Sequence, residues 1–148
     1  MNVRSDLVVL LATDSDAVMA DIDAAVIDGH TRLERVRNGE AVRSAVLEFD
    51  PDLVICDLQI GNMGGVATTL DLRLEEGAGR LAPRPVLLLL DRVADEFIAR
   101  RSGADAWLTK PIEMLEVRRL VWDLLEGAGA TSDPERDRAA LGPASTSR

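Results

Sequence analysis

Three ionisable side chains stand where apolar runs of the chain stop: Asp14 after LVVLLAT, Asp57 after LVIC, and Lys110 after AWLT. Two carboxylates and a lysine make a plausible site for a hard divalent cation beside a phosphoryl group. Magnesium takes oxygen ligands and keeps several waters, so two carboxylates and a carbonyl suffice for it. A carboxylate can also attack phosphorus and become an aspartyl phosphate, with the lysine pairing the phosphoryl oxygens and the metal neutralising charge in the transfer. The stretch Thr13-Asp14-Ser15-Asp16 admits other readings on its own: an aspartate-nucleophile motif, half of a magnesium site, or a helix N-cap. Asp57 is less easily given a bland role, because a carboxylate that closes an apolar strand is costly to bury unpaired. Lys110 is the chain's single lysine; the rest of its 17 basic residues are Arg.

These groups meet only if the intervening elements bring strand ends together. Leu7 to Ala12 is continuously apolar, as suits a strand buried on both faces of a parallel sheet. Asp14 or Ser15 can cap a helix through Val18, Ile22, Ala25 and Val26 that ends near Gly29. Thr31 to Val36 alternates like an edge strand, and Val42, Ala45, Val46 and Phe49 repeat at helical spacing within Gly39 to Phe49. Leu53 to Cys56 reads as a buried strand, followed by the loop QIGNMGG and a helix from about Val66 to Glu76. Pro83 and Pro85 precede the strand VLLLL; a short helix spans Val93 to Ser102, and Ala104 to Thr109 is a strand. The last helix, Ile112 to Glu126, carries a stripe of Val117, Leu120, Val121 and Leu124. Strand and helix alternate five times, which implies a doubly wound α/β domain with a parallel sheet, helices on both faces, and a site at the carboxyl ends of the strands.

Composition narrows the function. The 148 residues suffice for one domain, residues 1–127, and the segment 128–148 has the composition of a disordered tail. No apolar run, Leu7 to Ala12 and Val86 to Leu90 included, approaches the ~20 residues that span a bilayer, and MNVRSDL lacks the core of a signal peptide. Cys56 is the one cysteine, so no internal disulfide forms; a cytoplasmic location is the expectation. The net charge of −9 argues against nucleic-acid binding.

With these residues in place, the chain resembles the receiver domain of bacterial two-component response regulators over residues 6–126. PDLVICDLQIGNMGG looks like that family's phosphoacceptor strand and loop, GADAWLTKP like its fifth strand, and LLATDSDAV like its acidic-pair strand. The resemblance implies a flavodoxin-like sheet in the order 2-1-3-4-5, with Asp57 as phosphoacceptor and Lys110 stabilising the phosphoryl group. It also implies Mg²⁺ on Asp14, Asp57 and the backbone carbonyl of Gln59. Departures accompany the matches. Thr13 replaces one acid of the pair, and the usual hydroxyl after the fourth strand aligns with Leu90, or with Asp91 on a one-residue shift. The switch aromatic is Trp107, and Gly61 and Gly64 replace the loop's usual proline and second acid.

The expected function is therefore a stand-alone receiver rather than an enzyme. It would take its phosphoryl group from a histidine kinase or a small phosphodonor and signal to a protein effector in trans, with no nucleic-acid or membrane partner. Two alternatives stand beside it. One is a degenerate receiver that binds protein without phosphate, favoured by Thr13, Leu90 and Trp107. The other is a haloacid-dehalogenase-type phosphohydrolase, with Asp14 as nucleophile and Asp16 as acid-base. Trp122, off the main stripe of the last helix, marks with Trp107 a face for a partner or a homodimer. The sequence leaves open whether another hydroxyl, such as Thr13 or Thr109, compensates for Leu90.

Overall fold

The computed structural model describes residues 6–129. The order is β1 (Leu7–Ala12), α1 (Asp16–Val26), β2 (Thr31–Val36), α2 (Val42–Phe49), β3 (Leu53–Asp57), α3 (Gly65–Gly77), β4 (Val86–Leu90), α4 (Glu96–Arg101), β5 (Ala106–Thr109) and α5 (Met114–Gly129). The strands form one parallel sheet in the order β2-β1-β3-β4-β5. The fold is thus the doubly wound α/β architecture expected from the alternation.

Period-two geometry explains why the central strands read as unbroken apolar runs. Leu10, Ala12, Val54, Cys56, Val86, Leu88 and Leu90 pack under α2, α3 and α4. Their alternates Val9, Leu11, Leu53, Ile55, Leu87 and Leu89 pack under α1 and α5. Both faces of the sheet are covered, so no position of β3 or β4 is left for a polar side chain until Asp57. No helix among the described residues is long and apolar enough to cross a membrane.

Local chemistry adjusts the element ends. Ser15, not Asp14, caps α1, its hydroxyl accepting the Val18 N–H at 3.2 Å. The segments expected as single helices from Gly39 and Val93 begin as 3₁₀ turns, Gly39–Ala41 and Val93–Asp95. β5 starts at Ala106, just after Asp105, whose carboxylate braces the strand start: it accepts the Val86 N–H at 2.8 Å and an Arg73 N–H at 2.6 Å. The expected tail lies, from residue 130 onward, outside the described residues.

Candidate functional site

Register brings the strand ends into line. Ala12 pairs with Cys56, Asp57 with Leu89, and Leu90 with Thr109, so Thr13, Asp57 and Lys110 emerge side by side at one edge of the sheet. Asp57 is only 3% exposed, and both of its oxygens are engaged. The Thr13 hydroxyl donates to Oδ2 at 2.9 Å, and the Lys110 ammonium donates to Oδ1 at 2.9 Å. This satisfies a carboxylate that burial would otherwise penalise. Lys110 donates at 3.0 Å to Asp91 as well. Burial works against the lysine's charge, but the hydrogen bonds and charges of Asp57 and Asp91 outweigh it and hold the ammonium above the usual lysine range. Behind Asp57, burial and then the Asp57 charge push the Cys56 thiol up to about 12, which makes it an inert core group.

Asp14 lies beside this pair but turns outward. It is exposed, and its Oδ2 accepts the Gly61 N–H at 3.3 Å. The Gln59 turn is held against the strand end by close backbone approach. A Cβ on Gly65 would sit 2.8 Å from the Asp57 carbonyl oxygen, so only glycine fits there. Within the same loop Asn62 and Met63 adopt φ of 50° and 80°, a conformation that costs a side-chain-bearing residue energy.

Magnesium sets a demand on the donors. Among the described residues no three acidic, histidine or cysteine side chains converge on one point. What remains is the Asp14 and Asp57 carboxylates on neighbouring strand ends plus the Gln59 turn. A carboxylate offers about four lone-pair sites, so one accepted hydrogen bond per oxygen leaves each free to bind a metal. The set fits a magnesium ion that retains several of its waters.

The other expected site residues are scattered around this centre. Leu90 is fully buried in the α2–α4 side of the core, and Thr109 closes β5 without reaching Asp57 by any hydrogen bond among the described residues. Trp107 packs against that same side, with the Arg100 guanidinium 5.1 Å from its ring centre. Trp122 lies on α5, across the sheet, lining a shallow groove with Ala25, Val26, Thr31 and Arg118. The expected joint Trp107–Trp122 face is therefore corrected: the sheet separates the two rings. Asp16 points away from the site to Arg35 at 2.8 Å and Arg37 at 3.3 Å. The Arg35 hydrogen bond first, and then the Arg37 charge, hold its carboxyl below the usual range.

Two groups escape sequence reasoning. Asp91 reads only as a place for a missing hydroxyl, although an acid directly after an apolar strand is the very signal that marks Asp14 and Asp57. Thr13 reads as the loss of an acid and as one candidate for a compensating hydroxyl, and its donation to Asp57 becomes visible only with the register.

Known proteins share this sequence pattern and fold. The profile of the family described as response regulator receiver domain matches residues 9–121. The transcriptional regulatory protein PrrA of Mycobacterium leprae is 30% identical over 136 residues, covering 91% of this chain and 57% of that protein. The response regulator protein PmrA of Pseudomonas aeruginosa is 34% identical over 115 residues, 76% of this chain and 50% of that protein. The chain thus spans about half the length of the curated relatives it matches. Among solved structures, the signal receiver domain of a signal transduction histidine kinase from Syntrophus aciditrophicus superposes with a TM-score of 0.70 at 28% identity, covering 81% of this chain and 90% of that one. The chemotaxis response regulator CheY4 of Vibrio cholerae shares the fold, with a TM-score of 0.70 at 19% identity over 80% of this chain and 98% of that one.

Proposed function

The chain belongs to the response-regulator receiver family, whose members are signalling domains of two-component systems, and on that premise we propose that Asp57 accepts a phosphoryl group from a histidine kinase or a small phosphodonor. An Asp57 oxygen forms the new O–P bond. The P–N bond of a phosphohistidine, or the P–O bond of an acyl phosphate, breaks, and its electron pair leaves with the imidazole or the carboxylate. Lys110 meets the phosphoryl oxygens. Asp14, Asp57 and the Gln59 carbonyl would hold Mg²⁺, which when bound supplies positive charge to the transferring group. The phosphorylated state acts by contact with a protein effector or a second copy, in trans or on the same polypeptide.

The observation that carries this reading is the buried Asp57 carboxylate, gripped by Lys110 at 2.9 Å at the end of β3. The transfer is slow by the family's measure. A hydrogen bond to a charged group is worth ~1.5–3 kcal/mol, so Leu90 in place of a hydroxyl costs roughly ten- to a hundredfold in rate.

A second reading, the degenerate binding module, is favoured by one contact: Asp91 already occupies the lysine that a phosphoryl group would need. Intact mass after incubation with acetyl phosphate and Mg²⁺ separates the two. One added phosphoryl group in the native chain, absent from Asp57→Asn and absent without metal, supports the phosphoacceptor. A folded protein with no adduct at saturating donor leaves the binding module.

A further inference from the structure

The receiver reading requires a group that senses the phosphoryl oxygens, and the β4 end offers none. Leu90 is fully buried and apolar. The adjacent Asp91 carries charge of the wrong sign and is tied to Lys110. The hydroxyl that touches Asp57 comes instead from the opposite neighbour, β1: Thr13 Oγ1 donates to Oδ2 at 2.9 Å and is itself fully buried.

Thr13 is wired to the start of α1 and to β2. The same Oγ1 accepts the Ser15 N–H at 3.1 Å, and Ser15 caps α1. The Thr13 carbonyl accepts the Arg35 Nε–H at 3.1 Å, and Arg35 reaches on to Asp16 in the first turn of α1. Arg35 is held on two sides, yet its Nη2 is buried without a hydrogen-bond partner among the described residues. The guanidinium therefore has one donor unsatisfied in this arrangement and gains a bond if it shifts toward an acceptor.

Phosphorylation changes what Thr13 faces. When Asp57 becomes an acyl phosphate, the oxygen left behind is a carbonyl and no longer shares a full negative charge. Hydrogen bonds to ionised acceptors are roughly twice as strong as neutral ones, so the phosphoryl oxygens become the better acceptor. We propose that the Thr13 hydroxyl turns to a phosphoryl oxygen on phosphorylation and passes the state to Ser15, Arg35 and the start of α1. Thr13 thus replaces the absent β4 hydroxyl as the sensing group, and the signal leaves on the β1–α1–β2 side. This rests on the phosphoacceptor reading of Asp57.

The test uses the isotopically labelled full chain, phosphorylated with acetyl phosphate and Mg²⁺, with the adduct counted by intact mass. In the native chain and in Thr13→Ser, the Ser15 amide and the Arg35 Nε–H resonances shift in proportion to the adduct. In Thr13→Val, which keeps the shape and loses the hydroxyl, the adduct forms, those two resonances stay within a small fraction of the native shift, and the adduct lifetime changes several-fold. Native shifts confined to Leu90–Val93 overturn the proposal, as do Thr13→Val shifts equal to the native ones. Should Thr13→Val not fold, the native and Thr13→Ser spectra decide alone. An absent adduct in the native chain defeats the phosphoacceptor reading itself and this inference with it, an outcome distinguishable from the others by mass.

Discussion

Replacing Asp91 by Asn should speed phosphorylation of Asp57. The two carboxylates grip one nitrogen, Lys110 Nζ, at 2.9 and 3.0 Å. Their oxygens therefore lie no more than about 6 Å apart, and a unit charge at that distance costs ~0.7 kcal/mol in water and ~3 kcal/mol at an effective dielectric of 20. Asp91 and Lys110 are partly open to solvent, with side-chain exposures of 35% and 24%. The discounted figure is about 1 kcal/mol. Phosphorylation adds roughly one negative charge beside Asp91, so removing that carboxylate favours the adduct about fivefold. Asn keeps the shape and a carbonyl acceptor for the lysine. The assay is the initial rate of adduct formation by intact mass, at low salt and again at ~0.5 M salt, where screening should shrink the gain. An unchanged or slower rate in a folded Asp91→Asn protein would refute the reasoning, and would mean that Asp91 positions Lys110 rather than competing for it.

Other perturbations probe the frame. Leu90→Thr restores a hydroxyl at a fully buried site. It should cost about 3 kcal/mol, a fall of roughly 10 °C in Tm by calorimetry, while raising the phosphorylation rate ten- to a hundredfold. Gly65→Ala forces a Cβ to within 2.8 Å of the Asp57 carbonyl oxygen. It should destabilise the chain by ~2 kcal/mol or more in urea melts, because the clash is with backbone that cannot yield. Cys56 should resist thiol reagents in the native state and react only at the rate of opening, in step with urea. Its thiol ionises near 9.0 in the unfolded chain and at about 12 when folded. The raised value means that the neutral form's stability is fully present below pH 9 and is lost as pH climbs to 12, by up to ~4 kcal/mol. Cys56→Ala should flatten that alkaline decline in equilibrium unfolding.

The legible part of this fold comes from burial. Unbroken runs such as LVIC and VLLLL are too short for helices and read as strands covered on both faces, with Pro51 before the first and Pro83 and Pro85 before the second. The alternation gives a parallel sheet whose strand ends carry Asp57 and Lys110, while the strand order 2-1-3-4-5 is what the family resemblance implies. The hidden part depends on side-chain direction. Whether Asp14 or Ser15 caps α1 is decided by which oxygen faces the Val18 N–H, and both residues suit a cap equally well. Asp91 reads as a loop acid until the β4–β5 register sets it against Lys110. The two tryptophans share a composition class but not a face, because residue parity on β5 sends Trp107 to one side of the sheet while α5 packs on the other.

The central claim is that Asp57 itself is the acceptor. After incubation with acetyl phosphate and Mg²⁺, borohydride reduces an aspartyl phosphate to homoserine, which peptide mass mapping locates. Homoserine at position 57, and at no other acid, is the predicted result. Homoserine at Asp14 or Asp91, or none anywhere in a folded protein at saturating donor, would contradict it.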